Sequence, residues 1–361
     1  MVHIRHPIIG DTTHGDGKTE AFAYTPDLNI SATGDTEKFQ NWQTTAAGVV
    51  KLARGPNGEV VTLEHDACGR VTQRTVARNG FRPQTWRFGW NAQDQMVRAE
   101  CPDGDVWTYA YDPFGRRISK ACKHTKVTFI WDGDVVAREI TETRERVDVV
   151  DWFFEPGSFR PLARLEGGDL TFVINDHLGT PKEVVGEDGG LRWSADHDTW
   201  GTLRTKRGAT ASQIETGDYW IEPTSIEGNT AKAYAPNPDA LYCPIRFQGQ
   251  WEDGETGLYY NVHRYFDNLA KQYTSADPTG IRGGLSLHGY VIFPTTMIDP
   301  LELFGFYIFQ TANGNCYVGK ATDQNRFQES MVERTGAAPR GDDSRNPAEQ
   351  GSQTQRAQAR S

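Results

Sequence analysis

One short pattern recurs along this chain of 361 residues, and it limits the fold more than any other feature. Gly58-Glu59-Val60-Val61-Thr62-Leu63-Glu64-His65-Asp66 runs into Ala67-Cys68-Gly69-Arg70. Gly104-Asp105-Val106-Trp107-Thr108-Tyr109-Ala110-Tyr111-Asp112 runs into Pro113-Phe114-Gly115-Arg116. Between them, Thr85-Trp86-Arg87-Phe88-Gly89-Trp90-Asn91 runs into Ala92-Gln93-Asp94-Gln95. The anchors Asp66, Asn91 and Asp112 stand 25 and 21 residues apart. Each unit alternates as a half-buried strand does, opens a polar turn at Asp or Asn, and resumes as a second strand. Asp and Asn suit that corner because the side-chain oxygen accepts hydrogen bonds from backbone N–H groups just downstream. The units are therefore expected to be β-hairpins. One hairpin cannot bury its apolar face, so neighbours must stack into a continuous antiparallel sheet. An ordinary sandwich with coincidental spacing is the competing arrangement. Val184 to Trp193 repeats the pattern around an Asp-Gly-Gly turn. Residues 205–240 are polar and rich in Gly, Thr, Asn and Pro, and read as a long loop or insertion.

Composition agrees with many short strands. Aromatic residues make up 11% of the chain, and 37 Gly and 18 Pro supply turn signals. A net charge of −10 argues against a chain that coats nucleic acid along its whole length. Residues 304–361 carry seven Lys/Arg and six Asp/Glu, a balance of +1, which leaves −11 on the first 303. Five dispersed cysteines without a CxxC pair read as reduced thiols rather than a disulfide framework or a zinc site. The sequence from Met1 to Pro7 has no apolar leader core, and no run approaches a membrane span. A chain made in the cytosol is the expectation, with any export by a route that needs no cleaved leader.

Four blocks resemble the RHS/YD-repeat family. They are Tyr109-Ala110-Tyr111-Asp112-Pro113-Phe114-Gly115-Arg116-Arg117; Asn175-Asp176-His177-Leu178-Gly179-Thr180-Pro181, with Trp193-Ser194-Ala195-Asp196 and Trp200-Gly201; Arg246-Phe247-Gln248-Gly249-Gln250, running through Glu255 to Asn261 and on to Arg264-Tyr265-Phe266-Asp267; and Ala276-Asp277-Pro278-Thr279-Gly280-Ile281 with Gly283-Gly284-Leu285. Order and spacing together make the signature specific over residues 55–303. The resemblance implies a sheet that spirals into a hollow shell around a C-terminal toxin. Such proteins are polymorphic toxins delivered by type VI secretion or a related system, with a delivery protein and a cognate immunity protein as partners. About three repeats are visible, which implies a partial shell. The division expected is a polar N-terminal segment 1–50, a mostly β core 51–303, a small α/β tip 304–335 and a disordered tail 336–361.

The family pattern also implies self-cleavage. Asp277-Pro278-Thr279-Gly280-Ile281 is followed by Asp299-Pro300-Leu301-Glu302-Leu303, with Pro294 five residues before Asp299. Two adjacent carboxylates cannot both ionise cheaply, so they share a proton. One can activate water while the other donates to the scissile carbonyl. By resemblance Asp277 and Asp299 form that dyad and the scissile bond is Leu303–Phe304. Position 302 departs from the family, which has Gly where this chain has Glu302. The bland reading of each Asp-Pro is a turn opener.

The tip begins with two short strands, Gly305 to Phe309 and Cys316 to Ala321, around an Asn-Gly turn. It is similar to the start of a GIY-YIG nuclease, with Gly-Phe-Tyr followed by Tyr-Val-Gly. A helix is expected from about Asp323, with Phe327 and Met331 one turn apart. The resemblance implies that Tyr307, Tyr317 and Arg326 position water and phosphate, with DNA or RNA as substrate. It implies Mg²⁺ held by Glu329 or Glu333. The alternative is an incomplete domain, an inert tip on a non-enzymatic carrier. No cofactor is expected for the shell. Asp176-His177 and Asp196-His197-Asp198 read as hydrogen-bonded structural residues.

Overall fold

The computed structural model describes residues 8–13, 19–25, 29–34, 39–45, 47–55, 58–207, 241–280, 286–291, 294, 299, 305–310 and 316–321. The chain divides into two units, 1–304 and 305–361. Among the described residues there is no α-helix, and no helix long and apolar enough to cross a membrane. The fold is mostly β, as the hairpin repeat predicts.

Sixteen described strands of the first unit make one antiparallel meander from Gln43–Thr44 at one edge to Leu203–Arg207 at the other. Every strand pairs with its neighbours in sequence. The repeat corners explain this regularity. Asp66 Oδ1 accepts the N–H groups of Cys68 (2.9 Å) and Arg70 (3.0 Å). Asn91 does the same for Gln93 and Gln95, and Asp112 for Phe114 and Arg116. Two further corners, at Asp176 and Asp198, copy the geometry on Leu178 and Thr180 and on Trp200 and Thr202. The repeat therefore continues beyond the three units visible in sequence. It was hidden because the strands between Asp112 and Asp176 turn without an Asp or Asn acceptor of this kind. The turn roles of Asp176 and Asp198 are structural, as expected.

The pleat sends Trp86, Phe88, Tyr109, Val127, Phe129, Trp152, Val173, Val184 and Trp193 to a buried face. That face covers a second, four-stranded sheet: Trp251–Asp253, Leu258–Asn261, Arg264–Asp267 and Gln272–Tyr273. Trp152 and Phe129 both pack edge-on against Trp251, with centroids 5.6 and 6.3 Å apart. The aromatic density of the repeats thus packs across to this inner sheet.

The wall also presents buried cations to the inner sheet. Arg117 forms a two-point pair with Asp253, and Lys120 reaches Asp253 (2.8 Å) and Glu255 (2.9 Å). Arg74 pairs with Asp267 at 2.8 Å and donates to the Thr256 carbonyl. Burial opposes the Asp253 charge, but Arg117 and Lys120 outweigh it and hold the carboxyl below its ordinary value. For Glu255 burial wins against the pull of Lys120, and its carboxyl is raised.

Two boundaries differ from expectation. Residues 1–50 are not simply a polar segment, because four strands, Ile8–Thr13, Thr19–Tyr24, Ile30–Gly34 and Phe39–Asn41, form a separate sheet. Ala21, Phe22, Ala23, Tyr24, Ile30 and Ala32 are buried there, an apolar cluster diluted in sequence by its polar turns. The insertion expected from residue 205 begins no earlier than 208, because Leu203–Arg207 is a strand paired along Trp193 to His197. Its polar sequence suits an edge strand. Residues 208–240 lie outside the described residues.

The second unit is described as one hairpin, Gly305–Gln310 paired with Cys316–Ala321. The strands expected there are present. The helix from Asp323 and the tail 336–361 lie outside the described residues.

Candidate active site

The expected site begins with the tight turn between Leu258–Asn261 and Arg264–Asp267, where Asn261 and Arg264 are direct cross-strand partners. Two residues, Val262 and His263, close the turn, and Val262 has φ 45°. Left-handed backbone is disfavoured for a β-branched residue, so this turn is strained. His263 N–H donates to the Asn261 carbonyl at 2.6 Å.

Each turn partner holds one Asp-Pro motif. Arg264 is buried and its Nη2 donates to Asp277 Oδ2 at 3.2 Å. Its Nη1 donates to the Leu287 carbonyl (3.3 Å), and its guanidinium lies 3.8 Å from the centroid of the Tyr273 ring. Asn261, also buried, donates through Nδ2 to the Tyr273 hydroxyl (3.1 Å) and to the backbone carbonyl of Asp299 (3.2 Å). Tyr273 is therefore the hub. Its face carries the arginine that pairs with Asp277, and its hydroxyl accepts from the amide that holds Asp299.

The motifs differ in setting. Asp277 Oδ1 accepts the Thr279 N–H at 2.7 Å, and the Asp277 carbonyl accepts the Gly280 N–H at 2.9 Å, so this Asp-Pro does open a turn. Asp277 N–H donates to the Leu287 carbonyl at 2.8 Å. Asp299 is 5% exposed. Both motifs share the bracket Arg264–Tyr273–Asn261. Leu303, Phe304 and Glu302 lie outside the described residues.

The repeat corners form the rim beside this bracket. His288 Nε2 lies 3.0 Å from the Gly69 carbonyl, and Val71 N–H donates to the Thr274 carbonyl at 2.8 Å. Burial, above all, takes the His288 imidazole down to about 4, so it stays neutral at physiological pH and donates this hydrogen bond. Burial, reinforced by Arg264, also lowers His263. Among the described residues, the bracket is flanked by the cation Arg264 and by two imidazoles, His263 and His288, whose proton affinity burial lowers.

Sequence reasoning did not assign roles to Arg264, Asn261 or Tyr273. The available signal was a polar pair, Asn and Arg, flanking a two-residue turn inside an otherwise aromatic hairpin. In the tip, Tyr307 is opposite Gly319 and Tyr317 is opposite Phe309, so the two tyrosine positions have the same parity in the ladder. Arg326, Glu329 and Glu333 lie outside the described residues. Among the described residues no group of three His, Cys, Asp or Glu could hold a metal.

The wall strands from 172 to 207, with the Asp176 and Asp198 corners among them, match the RHS protein family model. Over 250 residues the chain is 34% identical to a probable deoxyribonuclease RhsB of Dickeya dadantii, covering 67% of this chain and 15% of the relative. This chain belongs to the RHS family. Another relative, a double-stranded DNA deaminase toxin A of Burkholderia cenocepacia, is 26% identical over 324 residues, covering 81% of this chain and 20% of its own length. A crystal structure of TcdB2–TccC3 is similar over 82% of this chain and 18% of its own, at 15% identity and a TM-score of 0.44. The chain thus spans about a fifth or less of these longer proteins.

Proposed function

We propose that this RHS chain is the toxin-presenting C-terminal part of a polymorphic toxin, and that it cuts itself after Leu303 with Asp277 and Asp299. The observation that carries the reading is the shared bracket, which joins Asp277 and Asp299 through Arg264, Tyr273 and Asn261. In the reaction one carboxylate takes a proton from water as the oxygen adds to the Leu303 carbonyl carbon. The partner carboxylic acid supplies a proton, the Leu303–Phe304 C–N bond breaks, and Phe304 leaves as an amine. The Arg264 guanidinium donates to Asp277 Oδ2 at 3.2 Å, and in this reading Asp277 serves as the base and Asp299 as the acid.

The released residues 304–361 are a GIY-YIG-like tip in which Tyr307, Tyr317 and Arg326 act on a phosphodiester of DNA or RNA, with Mg²⁺ and Glu329 or Glu333. The relatives' names, one a deoxyribonuclease and one a DNA deaminase, support a nucleic-acid-directed tip. An immunity protein and a type VI or related contact-dependent delivery protein are the partners such a toxin needs. A second reading is a non-enzymatic carrier with an inert tip: Glu302, where the family pattern has Gly, weighs against cleavage, and Glu329 and Glu333 follow Arg326 sooner than the nuclease family's metal-binding glutamate does, which weighs against an active tip.

Mass spectrometry of the expressed chain tests both. A fragment beginning at Phe304, absent in Asp277→Asn and Asp299→Asn, is the expected result; intact protein throughout removes the cleavage reading. Growth arrest on cytoplasmic expression, relieved by Tyr317→Phe or Arg326→Ala, is expected of the active tip. Equal growth of all three strains leaves the inert carrier.

A further inference from the structure

We propose that Asn261 is a positioning residue for self-cleavage, holding the backbone of Asp299 in register with Asp277 through the strained Asn261–Arg264 turn. The inference rests on the cleavage reading and adds to it a residue whose hydrogen bonds go to the Tyr273 hydroxyl and the Asp299 backbone.

Three observations converge on Asn261. Its amide is fully buried, and its two hydrogen bonds go to the Tyr273 hydroxyl and the Asp299 carbonyl, not to its own hairpin. Its Oδ1 is buried without a hydrogen-bond partner among the described residues. An amide engaged on its donor side alone is costly to bury, so a packing role alone would be met more cheaply by an apolar residue. Finally, Val262 sits at φ 45° immediately beside it, in a turn position where Gly or Asn is normally preferred. That strained turn makes Asn261 and Arg264 cross-strand partners, and so commits one residue to each Asp-Pro segment. Asn261 acts on Asp299 by fixing the backbone from which its carboxyl projects.

Without the Asn261 donor, Asp299 loses a fixed point on its own residue. A displacement on the order of 1 Å at a reacting group can slow a reaction about a hundredfold. The test compares the full chain with Asn261→Ala and Asn261→Asp, using Asp277→Asn as the uncleaved control. Asn261→Ala is expected to slow the appearance of Phe304-initiated fragment by about tenfold to a hundredfold. It should also speed amide exchange in the peptide containing Asp299, measured in the Asp277→Asn background where the chain stays intact.

Asn261→Asp separates positioning from folding. A protonated carboxyl can donate as the amide does, whereas a carboxylate only accepts. Among the described residues, the titratable and charged groups beside it are Tyr273, whose hydroxyl it meets at 3.1 Å, His263 in the turn, Arg264 across the turn with Asp277 paired to it, and Asp299, whose backbone carbonyl it holds. Its cleavage rate relative to the parent chain should therefore rise as pH falls from about 7 towards about 4, near the ordinary aspartate range. A folding defect would give no such recovery. Parent-like cleavage by Asn261→Ala, or a pH-independent ratio for Asn261→Asp, overturns the proposal. Faster exchange around Asp299 in a chain whose parent never cleaves would retain the bracket as a structural clamp and overturn both its role in cleavage and the cleavage reading. Unchanged exchange with cleavage lost only in Asp277→Asn would overturn the bracket alone.

Discussion

At the scale of single residues, the repeat corners are a controlled comparison written into the chain. Four of the five Asp/Asn-led corners place Gly at the fourth position, and Gly115 adopts φ 86° there. The corner led by Asn91 has Asp94 instead, at φ 58°. Asp tolerates this region better than most residues but still bears strain that Gly does not. Its compensation is an ion pair to Arg70 at 3.0 Å, with the Asp94 side chain 59% exposed, and exposed pairs contribute little. Asp94→Gly should therefore leave stability unchanged or raise it by about 0.5 kcal/mol. Gly115→Ala should lower it by about 1–2 kcal/mol, because φ is unfavourable and the added Cβ would meet His263 Nδ1 at 3.1 Å. Urea midpoints of the two variants would show the opposite signs; equal shifts would mean the corners do not carry strain as described.

Among elements, the junction between wall and inner sheet rests on buried charge. Arg117, at 0% exposure, and Lys120 converge on Asp253, also at 0%. Removing one partner of such a group leaves an uncompensated buried charge, so Asp253→Asn should destabilise by about 3–5 kcal/mol. The pH dependence of the two acids has opposite sign. Asp253 is lowered in the fold, so its contribution is present above the unfolded value of 3.8 and is lost as pH falls through the folded value. Glu255 is raised, so its contribution is full below the unfolded value of 4.5 and is lost as pH rises through the folded value. Glu255→Gln should then match or exceed the parent in stability near neutral pH and lose that advantage as pH approaches 4.5. Urea titrations across pH would detect this. A Glu255→Gln deficit that is largest at neutral pH would show that the Lys120 pair outweighs burial.

These cations also mark where sequence reading stopped. Hairpins, the antiparallel meander and the Asp corners were legible because period-two alternation and Asx turns are local. Arg117 was not, since Gly115-Arg116-Arg117 puts one arginine back on its own corner and the next into the interior. Arg116 pairs with Asp112 at 2.7 Å, whereas Arg117 meets an acid 136 positions later in the chain. The family resemblance singled out Asp277 and Asp299, but it gave no role to Asn261, whose partners become neighbours only when distant segments meet.

For the first unit as a whole, both ends of the long meander meet the same N-terminal sheet. Glu20 accepts the N–H (3.2 Å) and hydroxyl (2.6 Å) of Thr199 near the last strand, and Phe22 packs edge-on against Trp200 at 5.6 Å. From the same sheet, Thr33 donates to the Arg54 carbonyl near the first strand at 3.3 Å. The inner sheet spans the ends too: Val50 N–H donates to Gln272 Oε1, and Tyr259 donates to the Gly201 carbonyl. An unprotected meander with an apolar face would leave pairing edges open to other chains. Here the N-terminal sheet ties the ends together over Trp200, which also stacks on Phe266 of the inner sheet. Deleting residues 1–41 should therefore uncover Trp200 and free both ends while leaving every wall hairpin intact. The expected outcome is retained β circular dichroism, increased Trp exposure to acrylamide quenching, and concentration-dependent self-association by light scattering. Phe22→Ala should show the same quenching change in milder form, with a loss of about 3–5 kcal/mol if the ring is as well packed as its 4% exposure indicates. A truncated chain that stays monomeric with Trp200 as shielded as before would mean that the inner sheet alone holds the wall closed.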